Sequence, residues 1–189
     1  MPNSLPSEAH AAFKRSVQER PFLTGREITF GTEEIIVSKT DTKGIITYAN
    51  KVFIRLSGYT ARELVGAPHS ILRHPSMPMC VFGFLWERIT SGNECFAYVL
   101  NRSKGGDEYW VFAHVTPTLD ESGGIVAYHS NRRVPDPGAV ARIKPIYAAL
   151  LAEEARHGGK RQALAAGRAL FEKTVKDTGM DYDQLVFAL

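Results

Sequence analysis

The chain has 189 residues, 44% of them hydrophobic and 23% charged, with a formal net charge of +3. That length suits one core plus a helical appendage rather than two full domains; the mild, dispersed charge argues against the basic stripe of a nucleic-acid binder, and no apolar run approaches the roughly 18 residues of a membrane span. The N-terminal residues lack the features of a secretory signal, and two cysteines, Cys80 and Cys95, are too few for a disulfide framework or a zinc site, so a soluble, cytoplasmic protein with no membrane span is expected.

Residues 1–32 read as a lead-in broken by Pro2, Pro6 and Pro21, in which only Ser7 to Arg20 can form a helix. From Glu33 the β-branched run Ile35-Ile36-Val37, the turn Asp41-Thr42-Lys43-Gly44 and the run Ile45 to Tyr48 predict a hairpin. Val52, Phe53 and Leu56 then fall at helical spacing up to Gly58, and two further short helices are expected around Ala61 to Val65 and Pro68 to Arg73. Met79 to Thr90 places Val81, Phe82, Leu85, Trp86 and Ile89 on one helical stripe that ends at Ser91-Gly92. Three strand-like runs follow, Cys95 to Asn101, Glu108 to Thr116 and Gly124 to Arg132, separated by turn-forming clusters, which predict an antiparallel meander. Beyond Pro135-Asp136-Pro137 the composition turns helical, with one helix running to His157 and either kinked at Pro145 or beginning there, a second over Lys160 to Asp177, and an apolar tail expected to dock. The fold class is therefore α+β: a domain over 33–134 and a C-terminal helical segment over 135–189.

Several α+β folds share this element order, but the residues filling it resemble PAS domains, in particular the aerotaxis-receptor type. The matching stretches are TDTKGIITYAN at 40–50, SGYTARELVG at 57–66, Pro68-His69, RHPSMP at 73–78, FGFLW at 82–86, NRSKGGDEYWV at 101–111 and AYHSNR at 127–132. The resemblance implies a five-stranded antiparallel sheet with short helices over one face, enclosing a small-molecule pocket. In the aerotaxis receptors that pocket holds flavin adenine dinucleotide (FAD), whose redox state is the signal. Carried over by position, Arg73, His74 and Asn101 are the expected cofactor-binding residues, with His69 and Trp110 in the same motifs. Their chemistry suits a flavin, since a guanidinium pairs with phosphate, an imidazole donates to a ring carbonyl, and an amide offers both donor and acceptor. The sequence departs from the pattern at Ser76, where an acidic residue is usual, and at Cys95-Phe96, where a Trp is expected.

Each of these residues also has a plainer reading. Arg73 and His74 could simply occupy a loop before Pro75, Asn101 a turn, Trp86 and Trp110 the core, and His114 and His129 satisfied strand positions rather than haem ligands. The Walker loop, the nucleophile elbow, the HExxH motif and the cysteine motif of light-sensing flavin domains are all missing, so no enzyme activity and no thiol photochemistry are expected. The expected function is a redox or energy sensor that binds FAD, forms a homodimer and reports to a chemoreceptor or kinase partner. The alternatives are a cofactor-free interaction module and a haem-binding gas sensor.

Overall fold

The computed structural model describes residues 22–189, so the helix expected over Ser7 to Arg20 lies outside the described residues. Five strands, β1 (Ile36–Thr40), β2 (Ile46–Ala49), β3 (Cys95–Arg102), β4 (Glu108–Leu119) and β5 (Ile125–Arg133), form one antiparallel sheet in the order β2-β1-β5-β4-β3. Between β2 and β3 lie α1 (Lys51–Ser57), α2 (Ala61–Leu64), a 3-10 helix (His69–Leu72) and α3 (Met79–Thr90); after β5 come α4 (Pro137–Ala155), α5 (Lys160–Asp177) and α6 (Tyr182–Ala188). The predicted sheet, the short helices and the C-terminal helices are all present.

Local chemistry explains the punctuation. The Asp41 carboxylate accepts from the backbone N–H groups of Lys43 and Ile45, both at 2.9 Å, and Gly44 supplies the left-handed residue (φ +78°) that closes the β1–β2 turn. Asn50 caps α1 by accepting from Phe53 N–H at 3.0 Å, and the same oxygen accepts from Val37 N–H at 3.1 Å, so one side chain ties α1 to β1. Thr60 and Glu63 form a capping box on α2. Pro145 lies inside α4, which begins earlier, at Pro137 behind the Asp136 cap; burial of Val140, Ile143, Tyr147 and Leu150 carries the helix past the missing proline N–H.

The two faces of the sheet follow the period of two. Ser38, Thr40, Tyr128, Ser130, Arg132, Val99, Asn101, Ala113 and Val115 share the face over which the 3-10 helix and α3 lie. Tyr98, Leu100, Trp110 and Phe112 fall on the opposite face, where Trp110 stacks on Tyr147 of α4. The C-terminal helices also close the β3 edge of the sheet. Tyr147 Oη donates to the Tyr98 carbonyl at 2.8 Å and Tyr182 Oη donates to the Phe96 carbonyl at 2.5 Å, capping β3 where, among the described residues, no further strand pairs with it.

One carboxylate links these helices to α3. Pro78 precedes α3 and offers no side-chain cap, so the first N–H groups of the helix need an acceptor from elsewhere. Glu154 of α4, only 5% exposed, accepts from Met79 N–H at 2.9 Å and from Cys80 N–H at 2.7 Å. Gly167 of α5 packs against the same carboxylate so closely that a Cβ there would lie 2.7 Å from Glu154 Cγ.

Candidate functional site

Between the sheet and α3 lies a cavity of about 440 Å³, within the range of small-molecule sites. Its floor is Ser38, Val99, Asn101, Ala113, Ser130 and Arg132 of the strands, and its roof is Phe82, Leu85, Trp86 and Ile89 of α3. The 3-10 helix and the residues around it contribute His69, Ser70 and Arg73. Gly44 is required here: the Trp86 ring packs 2.9 Å from where its Cβ would sit, so the β1–β2 turn and the roof can meet only at a glycine. Trp86 in turn meets the edge of Tyr128, with ring centroids 5.5 Å apart.

The polar end of the cavity is built around Arg132, which is only 2% exposed. Its Nη2 donates to Ser38 Oγ, its Nε donates to Ser130 Oγ at 3.1 Å, and its guanidinium lies 4.8 Å from the centroid of the Phe53 ring. Nη1 is buried without a hydrogen-bond partner among the described residues. Burial pushes the guanidinium down to about 10, and the nearby Tyr109 offsets this only in part. The next link is His69, whose Nε2 lies 3.3 Å from Ser38 Oγ. Because Ser38 Oγ accepts from Arg132, its own proton is free for His69 Nε2, which places the ring proton of a neutral His69 on Nδ1. Burial first, and the Arg132 charge second, push His69 down to about 3. At the mouth, Arg73 is exposed to solvent and lies 4.0 Å over the Phe82 ring, while its backbone pairs with Asn101. No carboxylate stands among the described residues that line the cavity, against the three basic residues Lys43, Arg73 and Arg132.

Three of the five site residues expected from sequence, Arg73, His69 and Asn101, therefore meet at one cavity. The other two line neither its floor nor its roof. His74 is buried where the RHPSMP loop meets the start of β4, with Nδ1 accepting from Ser76 N–H at 3.1 Å and Nε2 3.1 Å from the Glu108 carboxylate but not hydrogen-bonded to it. Trp110 sits at an even position of β4 and so faces α4, away from the cavity. His114 and His129 share that opposite face, paired with Glu94 and Asn131 respectively, so His69 is the histidine at the cavity among the described residues. Cys80 and Cys95 are buried thiols pushed up by desolvation to about 12 and about 11. Among the described residues no cluster of three or more His, Cys, Asp or Glu side chains is placed to hold a metal, and no helix is long and apolar enough to cross a membrane. Arg132 and Ser38 are cavity residues that sequence reasoning missed; the alternation Tyr128, Ser130, Arg132 along β5, with an arginine at an inward position, was the available signal.

Comparison with known proteins agrees with this architecture. Residues 46–131 match the family model described as the PAS fold. The chain is 37% identical over 134 residues to the aerotaxis receptor of Escherichia coli (strain K12), covering 71% of this chain and 26% of that protein. It is 26% identical over 99 residues to the nitrogen fixation regulatory protein of Klebsiella pneumoniae, covering 52% of this chain and 20% of that protein. The chain thus spans about a quarter or less of the length of these curated relatives. Among solved structures, a light-oxygen-voltage domain studied with a flavin analogue superposes with a TM-score of 0.54 at 22% identity, covering 62% of this chain and 90% of that chain. The light-state structure of the blue-light photoreceptor Aureochrome1 gives 0.52 at 24%, covering 65% of this chain and 91% of that chain. At these identities the structural matches speak for the fold.

Proposed function

From a chain whose residues 46–131 form a PAS domain related to that of the aerotaxis receptor, we propose a sensor, rather than a catalyst, that binds a flavin as FAD and reports its redox state through α4–α6. The observation that carries this reading is the cavity itself. It has aromatic walls at Phe82, Trp86 and Tyr128, hydrogen-bonding groups at Asn101, His69 and Ser38, and cations at its mouth, a set that suits a planar heteroaromatic ring with a phosphate-bearing tail. Asn101, His69 and Arg132 would hold the ring, and Arg73 with Lys43 the phosphates. The bound flavin supplies the electron-accepting chemistry. The protein's part is to orient the ring, to exclude water, and to present different contacts to its two redox states, since a ligand that binds both conformations equally shifts neither.

The route outward follows from Glu154. The roof helix α3 touches the cavity along one side and is capped by α4, so a displacement of the roof is felt by the C-terminal helices. Those helices are the proposed output, acting on a second copy of the chain or on a chemoreceptor or kinase partner. An absorbance spectrum of freshly purified protein, with the heat-released supernatant identified by chromatography, tests the cofactor. Flavin bands and released FAD are expected, and Arg73→Ala should lower the bound fraction. A colourless protein that takes up no flavin on reconstitution overturns the reading, and a monomeric elution profile at high concentration removes the homodimer from it.

A further inference from the structure

We propose that the cavity selects its occupant by charge, Arg132 making it a site for aromatic ligands that carry an anionic or strongly electron-rich acceptor edge. The inference rests on the reading of this cavity as a ligand site, and it adds a selectivity and the residue that sets it.

The argument starts from an imbalance. A guanidinium taken out of water is expensive unless it is paired, and buried arginines ordinarily face a carboxylate. Arg132 faces none. Its neighbours are the hydroxyls of Ser38 and Ser130, the ring of Phe53, the phenol of Tyr109, and His69 in its neutral form. The other charged side chains lining the cavity, Lys43 and Arg73, are also cations and sit at the exposed mouth. Arg132 is held by its two serine contacts and by the Phe53 ring, its Nη1 is buried without a partner among the described residues, and the side chain lines the cavity with its charge uncompensated. An anionic or electron-rich ligand edge set against the guanidinium relieves an uncompensated charge, whereas a neutral ligand of the same shape does not. A cationic ligand is rejected outright. The apolar roof of Phe82, Leu85, Trp86 and Ile89 sets the remainder of the class, a flat aromatic body that the polar end then orients.

The test uses two fluorescent probes with one aromatic skeleton, anilinonaphthalene sulfonate and phenylnaphthylamine, the second lacking the sulfonate. Both are titrated into protein stripped of endogenous ligand, as wild type, Arg132→Met, Arg132→Lys and Arg73→Met. Arg132→Met is expected to weaken sulfonate binding by about tenfold or more while changing binding of the neutral probe by less than about threefold. Arg132→Lys, which keeps the charge, should retain much of the preference, and retained neutral-probe binding shows in each variant that the cavity is intact. Equal losses for the two probes in Arg132→Met, no loss for either, or a preference abolished by Arg73→Met alone would overturn the proposal, as would a wild type that binds neither probe. Because neither probe is a flavin, the two readings fail separately: a colourless wild type that still prefers the sulfonate overturns the flavin and not the charge selection, and a flavoprotein without the preference does the reverse.

Discussion

At the scale of single residues, His69 gives the clearest pH signature. The ring titrates near 6.5 when free and is pushed down to about 3 in the folded chain, by burial and then by Arg132. Between those values the unfolded chain binds a proton that the folded chain does not, so stability rises with pH across that window and is lost on acidification from about 6.5 towards 3. One such group contributes a slope of at most about 1.4 kcal/mol per pH unit. Urea denaturation of wild type and His69→Gln at a series of pH values measures it. Glu34, Glu63 and Asp107, held below the usual carboxylate range chiefly by hydrogen bonds from Gly31 N–H, Lys104 and Arg26 respectively, lose their contribution at low pH in both proteins and cancel in the difference. The variant is expected to show the shallower slope between about pH 6 and 4; parallel slopes would mean that His69 takes up its proton freely and that burial and the Arg132 charge do not hold it neutral.

At the scale of elements, the tie between α3 and α4 is the contact with most riding on one side chain. Glu154→Ala leaves the N–H groups of Met79 and Cys80 without an acceptor, and leaving a buried donor unmade costs about 1–3 kcal/mol. The denaturation midpoint should fall accordingly, and hydrogen exchange at those two amides should quicken while the strand amides stay protected. Gly167→Ala should destabilise through the opposite error: the helix gains about 1 kcal/mol of propensity but the new Cβ meets Glu154, and overpacking of this kind costs about 1–3 kcal/mol. In the double variant Glu154→Ala/Gly167→Ala the clash with Glu154 is gone and only the milder contact with Cys80 Sγ at 3.2 Å remains, so the two effects should not add; additivity would show that the sites do not touch. This pair also marks the limit of what the sequence discloses. The α3 stripe, Met79 to Thr90, and the helix from Lys160 to Asp177 were legible because periodicity and stop signals are local. His69, Arg73 and Asn101 were legible because their motifs resemble a family's. Trp110 shares a motif with the cavity residues, yet the alternation of β4 places it on the other face, and Glu154 left no local trace, since it is a polar residue on a helix whose partner lies 74 positions away. Arg132 escaped for a related reason: an arginine near the end of a strand is usually a surface residue.

At the scale of the whole molecule, the C-terminal helices serve two purposes that a sensor must reconcile. They cover the face carrying Tyr98, Leu100, Trp110 and Phe112, and they cap the open edge of β3 through the hydroxyls of Tyr147 and Tyr182. An uncovered edge strand beside an apolar face is a template for association with another chain. A chain ending at residue 134 is therefore expected to elute as dimers and larger species, and to aggregate at concentrations where the full chain remains dispersed, with light scattering as the measurement. Tyr147→Phe and Tyr182→Phe separate the two contributions, because each removes a hydroxyl from the edge, worth about 1 kcal/mol, while keeping its ring on the face. If the edge dominates, the paired Phe variants should reproduce part of the association seen on truncation. If the covered face dominates, they should lower stability without changing oligomeric state. A truncated chain that stays monomeric and folded would show that the sheet tolerates exposure of both, and that α4–α6 are held in place only to be moved. The same cover, on this account, links sensing to output: α4 and α5 meet at Glu154 beneath the cavity's roof helix, so whatever shifts that helix loosens the elements that keep the β3 edge closed.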